Sequence, residues 1–256
     1  MPTLLEQILG GYRDTQDRWS IADGEGGRIY LANRRSLHET WLEEALTGIE
    51  NPPGSQPVAV VLAGGPASGK SSLLRDLVLP SATTTIDSDW FKVRMPEFQW
   101  LAGLGEPRAA EVVHEESSDL AGELLGRAID ARHNLVFDQV GNGEPGRFAG
   151  KLRRLADAAY RIDVVYADVP VKVAVERDRQ RWEESGRRVG EEVVRELHQK
   201  VAARFPEVLS DSAAATVRLY DCSADEPRLV FERDANGDTV IHDESRLKAF
   251  YAKAQP

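Results

Sequence analysis

The residues best suited to chemistry are Gly64-Gly65-Pro66-Ala67-Ser68-Gly69-Lys70-Ser71. The pattern Gly-x-x-x-x-Gly-Lys-Ser, placed after an apolar run and before a helical pattern, is that of a phosphate-binding loop. Its glycines let successive backbone N–H groups converge on phosphate oxygens, and the following helix start adds partial positive charge. Lys70 would reach the terminal phosphates of ATP or GTP, and Ser71 would place its hydroxyl on Mg²⁺, with Ser72 beside it. These residues predict a nucleoside triphosphate as ligand. They do not by themselves name a reaction.

Three further segments could complete a transfer site. Thr85-Ile86-Asp87-Ser88-Asp89 ends a strand with two carboxylates. In an open α/β sheet, ligands gather at the carboxyl ends of strands, so Asp89 could take the proton of an attacking hydroxyl. Asp87 could touch substrate or could cap the next helix. Leu135-Val136-Phe137-Asp138 ends another strand, followed by Gly141-Asn142. Asp138 and Asn142 are candidates for substrate binding, with a turn-forming aspartate as the alternative. Arg177 and Arg181 stand one helical turn apart and Arg187-Arg188 follow a break. Guanidinium groups there could neutralise charge on a transferring phosphoryl group. Arg179, interleaved with Glu176 and Glu183, reads as solvated.

The elements that must carry these residues alternate. Val58 to Ala63 is a continuous apolar run, as expected of a central strand buried on both faces. Further strands are expected at 83–86, 134–137, 161–167 and 216–220, with helices after Ser71 and near 107–132, 145–159, 170–184 and 190–207. This order predicts an α/β fold of three layers, a mostly parallel central sheet covered by helices. Arg228 to His242 predicts a hairpin around Asn236-Gly237, followed by a last helix. Ahead of the seam Glu50-Asn51-Pro52-Pro53-Gly54, the spacings Leu4-Ile8-Tyr12 and Leu37-Trp41-Leu42-Ala45 predict two N-terminal helices flanking a flexible turn at 23–27. The expected organisation is therefore a helical extension over 1–50 and a kinase-like domain over 57–256.

Composition narrows the partners. The chain has 256 residues, a formal net charge of −10 and one cysteine, Cys222. The acidic balance disfavours a nucleic-acid ligand, whose phosphates call for a basic surface. A single cysteine allows no internal disulfide and fits a reducing cytoplasm. The longest apolar run is too short for a bilayer, and the first residues lack the basic start and apolar stretch of a secretion signal.

Taken in order, Gly64–Ser71, then Ile86-Asp87-Ser88-Asp89-x-Phe91-Lys92, then Asp138, then the late arginines resemble the zeta toxin family. The resemblance spans roughly residues 57–222. It implies a P-loop kinase, the toxic half of a toxin–antitoxin pair, whose best-known activity phosphorylates the 3′-hydroxyl of the amino sugar of UDP-N-acetylglucosamine. It implies Asp89 as general base and Lys70, Arg177 and Arg187 or Arg188 as phosphate contacts. It also places Asp138 on the sugar nucleotide and sets the helix with His114, Glu115 and Glu116 along the substrate pocket. Two departures concern the acceptor: Gln139-Val140 replaces a Gly-Thr type pair, and Met95-Pro96 replaces a frequent His-Pro. The same resemblance implies a separate antitoxin. The two N-terminal helices, joined by the Pro/Gly seam, could be a fused counterpart that restrains the kinase in cis, or could simply extend the fold. Rival readings keep the donor and change the acceptor to a nucleotide cofactor, an antibiotic or a polynucleotide end. A further one is a non-catalytic ATP-binding regulatory module.

Overall fold

A computed structural model describes residues 4–50, 54–138, 146–185 and 189–255. In chain order it contains α1 (Leu4–Leu9), α2 (Thr15–Trp19), β1 (Ser20–Ala22), β2 (Arg28–Tyr30), α3 (Ala32–Leu46), β3 (Val58–Ala63) and α4 (Lys70–Asp76). Then come β4 (Thr83–Ile86), α5 (Ser88–Lys92), α6 (Pro96–Gly103), α7 (Ala109–Val112), α8 (His114–Asp130), β5 (Asn134–Asp138) and α9 (Arg147–Asp157). The remainder is β6 (Arg161–Asp168), α10 (Val171–Ser185), α11 (Glu191–Leu209), β7 (Thr216–Asp221), β8 (Arg228–Arg233), β9 (Thr239–Ile241) and α12 (Glu244–Ala252). The chain divides into two compact units, one of residues 1–48 with 86–130 and one of 49–85 with 131–256.

The second unit holds the expected sheet. Its strand order is β4-β5-β3-β6-β7-β8-β9, with β3 parallel to β5 and β6, β6 parallel to β7, and β8 and β9 antiparallel. Ala59 to Ala63 are all buried, because β3 is flanked on both edges and covered on both faces. Asn236-Gly237 does form the β8–β9 turn, where the Asp234 carboxylate accepts from the N–H groups of Asn236 and Asp238. Around Phe205 of α11, the rings of Tyr166, Phe231, Phe250 and Tyr251 stand edge-on at 4.9–5.9 Å. This aromatic cluster pins α11 and α12 to the sheet. Among the described residues no helix is long and apolar enough to cross a membrane.

The first unit was less visible in the sequence. The helix expected through Tyr12 stops at Leu9, because Gly10 and Gly11 take positive φ, and Tyr12 is exposed. The turn at 23–27 closes a small hairpin, β1–β2, with Asp23 accepting from Glu25 and Gly27. The expected helix over 107–132 breaks at Val113 into α7 and α8, and its stripe of Val112, Leu120, Leu124 and Ala128 is buried.

The N-terminal helices pack on α6 and α8 through a buried ion network. The Arg34 guanidinium donates to Glu97 at 3.0 Å and to Glu116 at 2.9 Å, and the His38 Nε2 lies 2.7 Å from Glu116. Trp19 donates to Glu97 at 2.7 Å. All four charged or titratable members are buried. Burial alone would raise the Glu116 pKa, but hydrogen bonds from His38 and Arg34 and the Arg34 charge outweigh it and hold the carboxyl at about 2. Replacing Arg34 with Leu strands two buried carboxylates, and the expected loss is about 3–5 kcal/mol in denaturant unfolding. Because the Glu116 pKa is depressed on folding, its contribution is complete above its ordinary value near 4.5 and lost as pH falls towards 2. Stability measured across that window should fall more steeply in the parent chain than in Glu116→Gln.

Candidate functional site

The phosphate loop runs from the end of β3 to the start of α4 in the second unit. Its shape departs from regular structure at three points, the first being Gly64 at φ 146°. Ala67 takes φ 56°, a left-handed value a residue with a Cβ holds only when its surroundings impose it. Gly69, the N-cap of α4, takes φ 92°, and a Cβ built there would stand 2.9 Å from the Cys222 Cβ. Lys70 folds back over the loop, its Nζ donating to the carbonyls of Gly64 at 3.1 Å and Gly65 at 3.3 Å. The Ser71 side chain is exposed in the first turn of α4, and Ser72 accepts from Arg75.

Two of the predicted partners come to this loop. Leu62 of β3 pairs in register with Asp138 of β5, so the carboxylate stands at the end of the neighbouring parallel strand. There Asp138 lies 3.9 Å from the Lys70 Nζ. Arg177, on α10, donates to the Cys222 carbonyl at 2.9 Å, and its Nη1 comes 3.4 Å from a Cβ built on Gly69. Arg181, one turn on, is exposed. Arg179 pairs with Glu176 and Glu183 on the solvent side, as its charge pattern implied. Arg187, Arg188 and Asn142 lie outside the described residues, as do Gln139 and Val140.

The other candidates belong to the first unit. Asp87 caps α5, its carboxylate accepting from the Asp89 N–H at 2.9 Å. Asp89 sits in the first turn of α5, partly exposed, with Lys92 at 3.0 Å. Glu116 is different from the pocket-lining residue expected of it. It has no exposed surface and its oxygens are engaged by Arg34 and His38, so it anchors α3 to α8. Met95 is likewise fully buried, ahead of the proline that starts α6, and its identity reports packing within this unit. His114 is exposed on α8.

Sequence reasoning missed the groups that support the loop from behind. The His198 Nε2 lies 2.9 Å from the Pro66 carbonyl. Asp178 is buried and accepts from the consecutive N–H groups of Val189 and Gly190, fixing the start of α11. Neither has a motif; each is an isolated polar residue in a helix rich in them. At Gly69, an alanine would carry both the positive φ and the clash with Cys222. Gly69→Ala should therefore lower stability by about 1–3 kcal/mol and weaken nucleotide binding, measured by thermal unfolding and direct titration.

The chain is similar to known proteins in fold and in sequence. Its fold is similar to the AvrRxo1-ORF1:AvrRxo1-ORF2 complex crystallised with ATP, at a TM-score of 0.70 and 17% identity over 96% of this chain and 83% of that one. It is also similar to the PezAT chromosomal toxin–antitoxin system of Streptococcus pneumoniae, at a TM-score of 0.64 and 13% identity over 87% and 88% of the two chains. In sequence, 100 residues are 30% identical to the calmodulin calcium-dependent NAD kinase of Arabidopsis thaliana, which is 35% of this chain but only 19% of the plant protein. The family model described as Zeta toxin matches residues 42–246, and the chain belongs to that family of P-loop kinases.

Proposed function

We propose that the chain is an ATP-dependent phosphotransferase that moves a phosphoryl group to a hydroxyl of a nucleotide-linked small molecule, a UDP-activated sugar such as UDP-N-acetylglucosamine. The observation that carries this reading is the approach of Asp138, at the end of β5, to Lys70, which opens α4 after the loop that leaves the neighbouring parallel strand β3, with Arg177 beside the same loop. A module that merely holds nucleotide needs the loop but no acid next to it. In this reading the loop and Lys70 hold the triphosphate, and Arg177 and Arg181, with Arg187 or Arg188, balance charge on the transferred group. Asp138 orients the acceptor, aided by Asn142 and Asp87. Asp89 accepts the hydroxyl proton, as the family resemblance implies.

Mg²⁺ fits the donor set. Among the described residues no group of three or more His, Cys, Asp or Glu forms a cage. A single hydroxyl at Ser71 together with nucleotide phosphates is the kind of site this cation uses. When bound it would supply positive charge to the phosphate oxygens.

A second acceptor, a nicotinamide dinucleotide, is favoured by one observation, the 30% identity to the plant NAD kinase. A protein antitoxin is a proposal of the same kind, supported by the toxin–antitoxin system named for the PezAT structure. Restraint in cis by residues 1–50 is less well supported, since Arg34, His38 and Trp19 are built into the ion network with Glu97 and Glu116.

Incubation with ATP, Mg²⁺ and separate acceptors, read by mass spectrometry, tests the proposal. The expected product is a monophosphorylated UDP-sugar; phosphorylated NAD instead would select the second acceptor. ADP release with no acceptor modified would count against transfer altogether. Asp89→Asn should lower transfer about 10²- to 10⁴-fold while ATP still binds. Full transfer in that variant would remove Asp89 from the mechanism.

A further inference from the structure

On its buried side the phosphate loop meets a histidine that the transfer reaction does not use. His198 lies near the middle of α11, almost fully buried. Its ring is pressed against Gly65: a Cβ built on that glycine would fall 2.3 Å from the His198 Cδ2 and 2.4 Å from its Nε2. Gly65 does not take a positive φ, so a larger residue is barred there by the ring and not by backbone conformation. The Nε2 faces the Pro66 carbonyl at 2.9 Å. A carbonyl only accepts, so Nε2 carries the proton. Burial pushes the His198 pKa down to about 4, with Lys253 and Lys70 acting in the same direction, so the ring is neutral near pH 7.

The ring is itself enclosed. Its Nδ1, which carries no proton when Nε2 donates, lies 3.9 Å from Asp168 at the end of β6, a packing contact and not a hydrogen bond. The Asp168 carboxylate accepts from Lys253, just past α12, at 2.6 Å, and that ammonium also donates to the Val169 carbonyl. Seven residues beyond His198 on the same helix, Phe205 sits in the aromatic cluster that fixes α11. The ring therefore has little freedom to turn away from the loop.

We propose that His198 is a positioning residue for nucleotide binding: it holds the Pro66 carbonyl towards the protein interior and keeps the loop in its phosphate-accepting form before the ligand arrives. Phosphate is bound by N–H groups, and a carbonyl that swung into the same space would repel it. The neutral ring adds no charge to the site. Its role is to remove the cost of reshaping the loop when the nucleotide binds. Gly65 belongs to the same device, as the residue whose missing side chain lets the ring approach.

This inference rests on the reading that the loop binds ATP, and the experiment separates the two. ATP–Mg²⁺ is titrated into the full chain and its variants, with thermal unfolding followed in parallel. His198→Leu, which keeps bulk and loses the donor, should weaken ATP binding about tenfold, the scale of one well-placed hydrogen bond. The KM for ATP should rise in step while kcat holds. His198→Gln, whose amide can donate to Pro66, should recover most of the affinity. Gly65→Ala should cost a similar factor by displacing the ring, and the combined Gly65→Ala/His198→Leu chain should bind no worse than either single variant. ATP affinity within twofold of the parent in His198→Leu would overturn the proposal. Equal losses in the Leu and Gln variants, or additive losses in the double variant, would do the same. Lys70→Met distinguishes the two levels. If it too binds ATP normally, the ATP reading falls with this one; if it fails while His198→Leu binds normally, only the role of His198 is lost.

Discussion

A loop that grips phosphate with its own backbone cannot spend those same N–H groups on holding itself together, so its shape must be imposed by neighbours. In this protein the imposition comes from several directions. The loop leaves β3, a strand paired on both edges and buried along its length from Ala59. The Lys70 ammonium ties down the carbonyls of Gly64 and Gly65, His198 faces that of Pro66, and Arg177 occupies the carbonyl of Cys222 beside Gly69. Three consecutive carbonyls, those of Gly64, Gly65 and Pro66, are thus engaged, and within the loop the Ser68 N–H also donates to Gly65 at 3.3 Å. The left-handed turn at Ala67 is tolerated because these contacts over-determine the backbone around it.

The first unit solves a different problem. Apart from α3 and α8 its described helices are short, and short helices have little intrinsic stability. What joins 4–48 to 86–130 is an ion network: Arg34 between Glu97 and Glu116, His38 behind it, and Trp19 closing one side. Nearer the surface Arg35 reaches Glu123 and Arg127 reaches Glu39, so α3 and α8 are matched along their length by charge. Buried ion pairs are poor sources of net stability but strict about partners, since any shifted packing leaves a charge without its counterion.

The parts of the fold that were legible in sequence are those where burial follows hydrophobic pattern. The strand at 58–63 is a continuous apolar run, those at 83–86, 134–138, 161–168 and 216–221 are short runs rich in β-branched or alternating apolar residues, and the helices between them follow helical spacing. The phosphate loop was legible because its motif demands particular residues at particular spacings. The first unit was harder to read because the buried face of α3 is carried by Arg34 and His38 as well as Trp41 and Leu42, and hydrophobic periodicity does not register a buried arginine. Glu116 was set along the substrate pocket by the family resemblance alone, whereas its partners are Arg34 and His38. His198 and Asp178 were illegible for another reason: what defines them is a main-chain partner more than ten residues or more than a hundred residues away, and no local spacing encodes that.

The discontinuity of the first unit also sets an order of events during synthesis. Arg34 is separated from Glu97 by 63 residues and from Glu116 by 82. At roughly 5–20 residues per second on the ribosome, α3 emerges several seconds before the carboxylates that will bury its arginine exist. Through that interval β3, the phosphate loop and β4 are made, so Arg34 and His38 have no carboxylate of the finished network to meet until Glu97 and then Glu116 are added.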